Sequence, residues 1–175
     1  SEPLSNALAL YSIELINNNI REAVSDGKNI ESRSGMLLGS LLAGIAFSHS
    51  DVASVHCMAE ALGGIYDAPH GVCNAILLPY VMEYNREYCM EKYSRIARIM
   101  SGNVTDLKEG SKEAVKLVKK LVEDVDLPSF RSLSVKKSDF DELSEMAVNN
   151  LSNESNPRPM SKEDYKKVFE MAYNG

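Results

Sequence analysis

The 175-residue sequence predicts an all-α fold, a single domain built as a bundle of seven to eight helices. Apolar residues recur at spacings of three and four along almost the whole chain, which is the period of one face of an α-helix. No strict alternation of apolar and polar residues lasts more than a few positions, so strands are not expected. The composition, 44% hydrophobic and 25% charged, is that of an ordinary globular domain. We therefore expect one helical domain over residues 1–175.

The helices follow in chain order from their apolar stripes and end signals. The first begins near Leu4 and is stopped by Asp26-Gly27. Gly63-Gly64 is expected to end the third helix. The remaining predicted helices are residues 30–48, 52–62, 70–83, 86–100, 109–125, 138–149 and 161–173, with loops at 101–108, 126–137 and 150–160.

Two further local patterns refine these helices. The second helix carries Gly39, Gly44 and several Ala and Ser residues, which allow neighbouring helices to approach closely, so we expect it near the centre of the bundle. The last two helices each open with a Ser-x-x-Asp capping signature, Ser138 with Asp141 and Ser161 with Asp164.

Charge and composition exclude several classes of partner. The formal charge is -6 and the sequence contains no basic block. We therefore expect no concentrated positive charge that would attract nucleic acid or an anionic membrane surface. The longest apolar stretch, residues 36–47, is too short to span a bilayer, for which roughly 20 residues are needed. The visible N-terminus carries no secretory signal. Three cysteines, at positions 57, 73 and 89, are an odd number, which favours reduced, buried thiols and a cytoplasmic protein.

The residues that can carry chemistry lie in one window, residues 55–79. His56 falls within the third helix, and His70 starts the fourth after a tight Gly-Gly to Pro-His-Gly reversal, so the two imidazoles can face one point. A convergent pair is typical of a metal site, and the alternative is two packing or capping histidines. Glu60, one turn after His56, is a candidate third ligand, a partner of a ligand or a proton-relay group. His49, at the end of the second helix, is interpreted as structural.

The pattern around these histidines resembles a known family signature. His56, followed by Leu62-Gly63-Gly64, Tyr66-Asp67, Pro69-His70-Gly71 and Asn74-Ala75-Ile76-Leu77-Leu78-Pro79, closely resembles the signature of the iron-containing (group III) alcohol dehydrogenases. Residues 5–10, residues 36–47 and the segment 156–164 also look like the corresponding family segments. The resemblance implies the helical, dehydroquinate synthase-like C-terminal domain, without the nucleotide-binding domain that precedes it in the family.

The resemblance also implies roles for individual residues. His56 and His70 match metal ligands, while two further family ligands, an Asp and a His, would precede Ser1. Glu60 stands where many members have a His near nicotinamide and substrate, and is our candidate catalytic residue. Phe47 and Ser152 match positions beside the substrate pocket. The implied cofactors are a divalent metal, Fe²⁺ or Zn²⁺, and NAD or NADP bound through the missing nucleotide-binding domain.

We therefore expect the metal-binding, substrate-side domain of an iron-dependent, NAD(P)-linked oxidoreductase acting on a small alcohol or aldehyde, inactive as an isolated fragment. We expect Phe47, Glu60, Gly63, Tyr66 and His70 to face a cleft that the missing domain would cover, and we expect self-association to cover this face in the isolated chain. A glycerol dehydrogenase or dehydroquinate synthase type of metal enzyme is one alternative, although the Asn74 to Pro79 run resembles the alcohol dehydrogenases better. A non-catalytic helical interaction module is the other.

Overall fold

The structure, a computed structural model, describes residues 3–48, 51–102 and 106–175. This part of the chain contains eight α-helices and no strand, so the predicted all-α fold is confirmed. His49, interpreted above as structural, lies outside the described residues. The α-helices are α1 (Pro3–Ser25), α2 (Ile30–Phe47), α3 (Ser54–Tyr66), α4 (His70–Asn85), α5 (Met90–Ser101), α6 (Leu107–Asp124), α7 (Phe140–Val148) and α8 (Lys162–Asn174). Short 3₁₀ helices cover Arg86–Tyr88, Phe130–Leu133, Lys137–Asp139 and Leu151–Ser155.

The chain divides into two compact units. Unit 1 is formed by Ser1–Asp51 and Met90–Leu117, and unit 2 by Val52–Cys89 and Val118–Gly175. No helix among the described residues is long and apolar enough to cross a membrane.

In unit 1, small residues bring α1 and α2 close together. The Ser12 hydroxyl, buried in α1, donates a hydrogen bond of 2.7 Å to the carbonyl oxygen of Gly39 in α2. A Cβ atom at Gly39 would lie 2.8 Å from Cγ1 of Ile16, so only glycine permits this approach. Asn29 caps α2 by accepting from the backbone N–H of Ser32.

The prediction that α2 lies near the centre of the bundle is wrong. Its buried residues are small, whereas Leu37 is 72% exposed and Leu41 is 60% exposed. The close approach to α1 is made at Gly39, whereas a Cβ atom at Gly44 would meet no atom of the described residues within 4 Å. The apolar side chains of the other face of α2 are left in contact with solvent.

The core of unit 2 is built from α3, α4, α7 and α8. Phe130, Phe140 and Phe169 form an aromatic cluster whose ring centroids lie 5.9–6.4 Å apart, and Tyr165 is fully buried beside it in the same core. All three cysteines, Cys57, Cys73 and Cys89, are buried, as predicted. Burial raises the pKa of the Cys73 thiol, which keeps this side chain protonated.

Several predicted helix ends need correction. α3 does not stop at Gly63-Gly64 but continues to Tyr66, and the left-handed residue that ends it is Asp67, with φ of 50°. The glycines remain helical, and Gly64 gives room to α7, because a Cβ there would lie 3.1 Å from Cε of Met146. Residues 86–88 form a separate 3₁₀ turn before α5.

The two predicted capping signatures have different outcomes. Ser161 and Asp164 form the expected capping box at the start of α8. The Ser138 signature is wrong, because α7 begins at Phe140 after a 3₁₀ turn. The Ser138 hydroxyl donates instead to the neighbouring Asp139 carboxylate, at 2.7 Å.

Candidate metal and substrate site

The candidate site lies at the reversal between α3 and α4 in unit 2. The left-handed Asp67 ends α3 and donates its N–H to the carbonyl of Gly63 at 3.1 Å. Pro69, at φ -60° and ψ 122°, then precedes the first residue of α4, His70. Proline suits this place because its fixed φ and its missing N–H cost nothing at a helix start.

This reversal brings the two predicted imidazoles together. The ring centroids of His56 and His70 lie 5.3 Å apart, with an angle of 51° between the ring planes. His56 is half-buried and His70 is exposed. Two imidazoles bound at about 2.1 Å to one tetrahedral ion place their centroids roughly 5 Å apart. The observed separation therefore suits two ligands of a single metal ion.

Asn74 lies one turn after His70 and contacts both its ring and its backbone. The Asn74 amide nitrogen is 2.9 Å from His70 Nε2 and donates to the His70 carbonyl oxygen at 3.0 Å. The other amide atom, Oδ1 of Asn74, is buried and has no hydrogen-bond partner in the described part of the chain. Asn74 thus fixes the position of the His70 ring and directs polar atoms toward it.

Glu60 does not join the imidazoles as a third metal donor. Within residues 3–48, 51–102 and 106–175, no group of three His, Cys, Asp or Glu side chains is placed to hold a metal ion. The exposed Glu60 carboxylate instead accepts a hydrogen bond of 2.6 Å from the Asn150 amide. The two imidazoles are therefore suitable ligands for a divalent metal. They are too few for a complete site, because protein metal sites usually have at least three protein ligands.

Asn150 is a site residue that sequence reasoning did not find. It lies in a segment predicted as a loop, 90 positions away from Glu60 along the chain. Its side-chain oxygen also accepts from the backbone N–H of Ser152 at 3.0 Å, which caps the 3₁₀ helix Leu151–Ser155. One amide therefore fixes both Glu60 and the segment that carries Ser152.

The two predicted substrate-pocket residues lie in different units. Ser152 is half-buried in unit 2, and its N–H is held by Asn150. Phe47 is 55% exposed at the C-terminal end of α2 in unit 1. There it lines a shallow groove of about 350 Å³ together with Ala43 and residues of α1.

A buried hydroxyl network anchors the start of α3, two residues before His56. The Tyr165 hydroxyl donates to Oδ1 of Asn153 at 2.8 Å and is hydrogen-bonded to the Ser54 hydroxyl at 3.1 Å. Tyr165 and Ser54 are fully buried. Burial holds the pKa of Tyr165 well above its ordinary value, so the phenol remains a donor.

A second tyrosine contact holds the end of α3. The Tyr66 hydroxyl donates a short hydrogen bond to Oδ2 of Asp139 and accepts from the N–H of Lys136 at 3.0 Å. The bond from Tyr66, with help from Ser138, holds the pKa of Asp139 below its ordinary value. Burial, followed by the bond to Asp139, raises the pKa of Tyr66.

Comparison with known proteins gives the family of this helical domain. The model of the Fe-containing alcohol dehydrogenase family, C-terminal, matches residues 1–173. The chain belongs to that family and corresponds to its C-terminal, all-helical domain.

The relatives are alcohol and aldehyde oxidoreductases. The 1,3-propanediol dehydrogenase of Klebsiella pneumoniae is 39% identical over 99% of this chain and 46% of its own length. The lactaldehyde reductase of Escherichia coli K12 is 38% identical over 97% of this chain and 45% of its own length. The present chain therefore spans about half the length of these relatives.

Solved structures show the same fold. The crystal structure of a 1,3-propanediol oxidoreductase superposes with a TM-score of 0.96 at 39% identity, over 98% of this chain and 46% of that one. An alcohol dehydrogenase from Oenococcus oeni superposes with a TM-score of 0.94 at 40% identity, over 98% of this chain and 46% of that one.

Proposed function

We propose that this chain is the metal-binding, substrate-side part of an iron-dependent, NAD(P)-linked alcohol dehydrogenase that interconverts a small alcohol with its aldehyde or ketone. The observation that carries this proposal is the convergence of His56 and His70, 5.3 Å apart, at the reversal between two helices. The names of the relatives support the class of reaction.

In this proposal, His56 and His70 supply two ligands to a divalent metal, Fe²⁺ or Zn²⁺. When bound, such an ion acts as a Lewis acid on an alcohol or carbonyl oxygen. The remaining ligands come from outside the described residues, because this part of the chain contains no third donor at the pair. An isolated chain is then expected to bind metal poorly.

The residues around the pair hold its members in position. Asn74 fixes His70 through its ring and its carbonyl oxygen. A ligating imidazole needs a fixed ring orientation, and such supporting contacts typically change metal affinity by about 10- to 100-fold. Glu60, held by Asn150, supplies an exposed carboxylate one helical turn from His56 that can accept or release a proton.

Substrate and cofactor complete the proposal. Phe47 and Ser152 are proposed to border the pocket for the alcohol or aldehyde. NAD or NADP is proposed to bind through a separate nucleotide-binding domain, because hydride transfer needs cofactor and substrate in near contact. We keep the cytoplasm as the expected compartment, on the basis of the three reduced cysteines.

The decisive experiment joins this chain to the nucleotide-binding half of the Klebsiella pneumoniae 1,3-propanediol dehydrogenase. We expect metal-dependent oxidation of short alcohols by the fusion. His70→Ala should lower this turnover by more than about 100-fold. His49→Ala, which removes the third histidine of the chain, is the matched control and should leave turnover unchanged.

Two results would contradict the proposal. One is a fusion whose turnover is insensitive to both His56→Ala and His70→Ala. The other is saturable NAD or NADP binding below the millimolar range, or turnover, by the 175-residue chain alone, measured by calorimetry and by an alcohol oxidation assay.

A second candidate function, a non-catalytic interaction module, is favoured by the exposed apolar face of α2. Leu37 and Leu41 are more than half exposed on that face, although buried apolar surface is what normally stabilises a helix. A partner helix or a second copy of the chain can cover them. Failure of the fusion experiment together with concentration-dependent association would support this alternative.

A further inference from the structure

Unit 2 contains a second concave surface, which the proposed function does not use. It lies between the C-terminal half of α4, the last turns of α6, residues 127–131 and the end of α8, and encloses about 490 Å³. We call it the C-terminal groove. Neither His56, Glu60 nor His70 lines it. Its volume is in the usual range for small-molecule sites, roughly 300–1,000 Å³.

The floor of the C-terminal groove is apolar and already well packed. Ile76, Phe130 and Ala172 are buried at its base, and Pro79 closes one side. Tyr80 and Tyr173 form the walls. A flat hydrocarbon or aromatic body would bury the partly exposed apolar surface of Val122, Leu127 and Tyr80, which also line the groove. The floor beneath would not rearrange, because its side chains belong to the core of unit 2.

Two cations border this apolar floor. Lys119 Nζ lies 5.6 Å from the ring centroid of Tyr80, and Arg131 Cζ lies 4.7 Å from that of Tyr173. Arg131 uses one N–H to bind the Tyr173 carbonyl oxygen at 2.5 Å, which fixes the guanidinium and leaves its other donors for a ligand. Lys137 lies 4.9 Å from the Tyr173 ring and adds positive charge nearby.

Neither cation of the groove has a carboxylate partner within the described part of the chain. The neighbouring Lys120, by contrast, pairs with Asp124 at 2.6 Å, which shows that α6 can satisfy a lysine locally. Glu123 also lines the groove, but it forms no ion pair with Lys119 or Arg131 in the described residues. The groove therefore combines an apolar floor, aromatic walls and two cations that form no ion pair in the described residues, with the Glu123 carboxylate also in the lining.

We propose that the C-terminal groove binds a small organic anion with a flat apolar body, namely an aromatic carboxylate. The carboxylate would be held by Arg131 and Lys119, and the apolar body would lie over Phe130 and Ile76. Arginine suits this task because its planar fork binds carboxylates in a bidentate manner. This site is independent of the proposed dehydrogenase function.

The test uses 2-naphthoate as the probe and the 175-residue chain as the protein, followed by calorimetry and ligand-detected NMR. We expect saturable 1:1 binding with a Kd below about 1 mM. Lys119→Gln and Arg131→Gln should each weaken binding by about three- to tenfold. Lys120→Gln is the matched control, with the same charge change one residue away and outside the groove lining, and should leave the Kd unchanged.

A neutral analogue separates charge from apolar contact. We expect 2-naphthalenemethanol to bind at least about threefold more weakly than 2-naphthoate, because it lacks the carboxylate. No saturable binding of 2-naphthoate, or equal losses in Lys119→Gln and Lys120→Gln, would overturn the proposal. If Arg131→Gln does not fold by circular dichroism, the Lys119 and Lys120 comparison decides alone.

Discussion

Replacing Tyr165 with phenylalanine tests whether the buried hydroxyl network stabilises the region around the histidine pair. The substitution keeps the ring and removes only the hydroxyl, which is bonded to Asn153 at 2.8 Å and to Ser54 at 3.1 Å. Tyr165 and Ser54 are fully buried, so no bulk water reaches the vacated position.

The expected cost follows from these contacts. Each hydrogen bond contributes about 1 kcal/mol, and a buried polar group left without its partner adds to the loss, so we expect Tyr165→Phe to cost about 2–3 kcal/mol. For a chain of this size, about 1 kcal/mol lowers Tm by about 2–4 °C. The variant should therefore melt about 4–12 °C lower.

Urea unfolding followed by circular dichroism measures this loss. Tyr88→Phe is the control, because Tyr88 is 62% exposed and its substitution should change stability by less than about 0.5 kcal/mol. Equal stabilities of the two variants would refute the reasoning, since the network would then contribute nothing net.

The same network predicts an alkaline effect. The pKa of Tyr165 is raised by burial in the folded protein, whereas in the unfolded chain a tyrosine ionises near pH 10. The contribution of the Tyr165 hydroxyl to the free energy of unfolding is fully present below about pH 10 and is lost as the pH rises further. Tyr165→Phe should therefore flatten the decline of stability above pH 10, and an unchanged decline would contradict this.

The remaining predictions concern the metal, the exposed surface and acid stability. The purified chain should carry clearly less than one equivalent of iron or zinc by elemental analysis; stoichiometric metal that is lost in His56→Ala would show that a further group completes the site. Phe47→Ser should weaken self-association in sedimentation experiments and should cost little stability. If the unaltered chain is a strict monomer at high concentration, or if Phe47→Ser lowers the free energy of unfolding by several kcal/mol, Phe47 does not face the cleft. The hydrogen bond from Tyr66 lowers the pKa of Asp139 in the folded protein. Its contribution to stability is therefore present above the pKa of an unfolded aspartate, about 3.9, and is lost as the pH falls below it. Asp139→Asn should thus destabilise the chain at pH 7 and have less effect in acid, and an equal effect at both pH values would oppose this.

Two features that depend on local contacts were predicted correctly from the sequence. The convergence of His56 and His70 depends on a three-residue reversal, residues 67–69, whose Pro69 is visible in the sequence. The capping box of Ser161 is also a short-range pattern, and it was predicted correctly.

Errors arose where packing decides between two uses of the same residue. A glycine can end a helix or can allow a neighbouring helix to approach closely. Gly64 has the second role, because it lies against the Met146 side chain of α7. The small residues of α2 indicated close packing against neighbouring helices, but the fold decides how many neighbours a helix has. The close contacts at Gly39 are all with residues of α1. Asn150 could not be found because its contact with Glu60 spans 90 positions.

The long-range contacts also assign a common role to residues 150–165. This segment holds α3 at Ser54 through Tyr165 and at Glu60 through Asn150. The two anchored residues are separated by about 9 Å along the helix axis, at 1.5 Å per residue, and His56 lies between them. A rotation of α3 about its axis would break both contacts, so together they fix the direction of the His56 side chain. His70 is held separately, by Asn74 on its own helix.

Because different contacts hold the helices of His56 and His70, we expect one substitution to affect mainly His56 and another to affect mainly His70. Asn150→Ala removes one anchor of α3 without touching α4, so it should shift the imidazole NMR resonances of His56 more than those of His70. Asn74→Ala should have the opposite effect. The alanine variants of His56 and His70 assign the signals. If Asn150→Ala moves the signals of both rings equally, the histidine pair responds as one rigid unit, and the separate anchoring of α3 argued from these contacts is wrong.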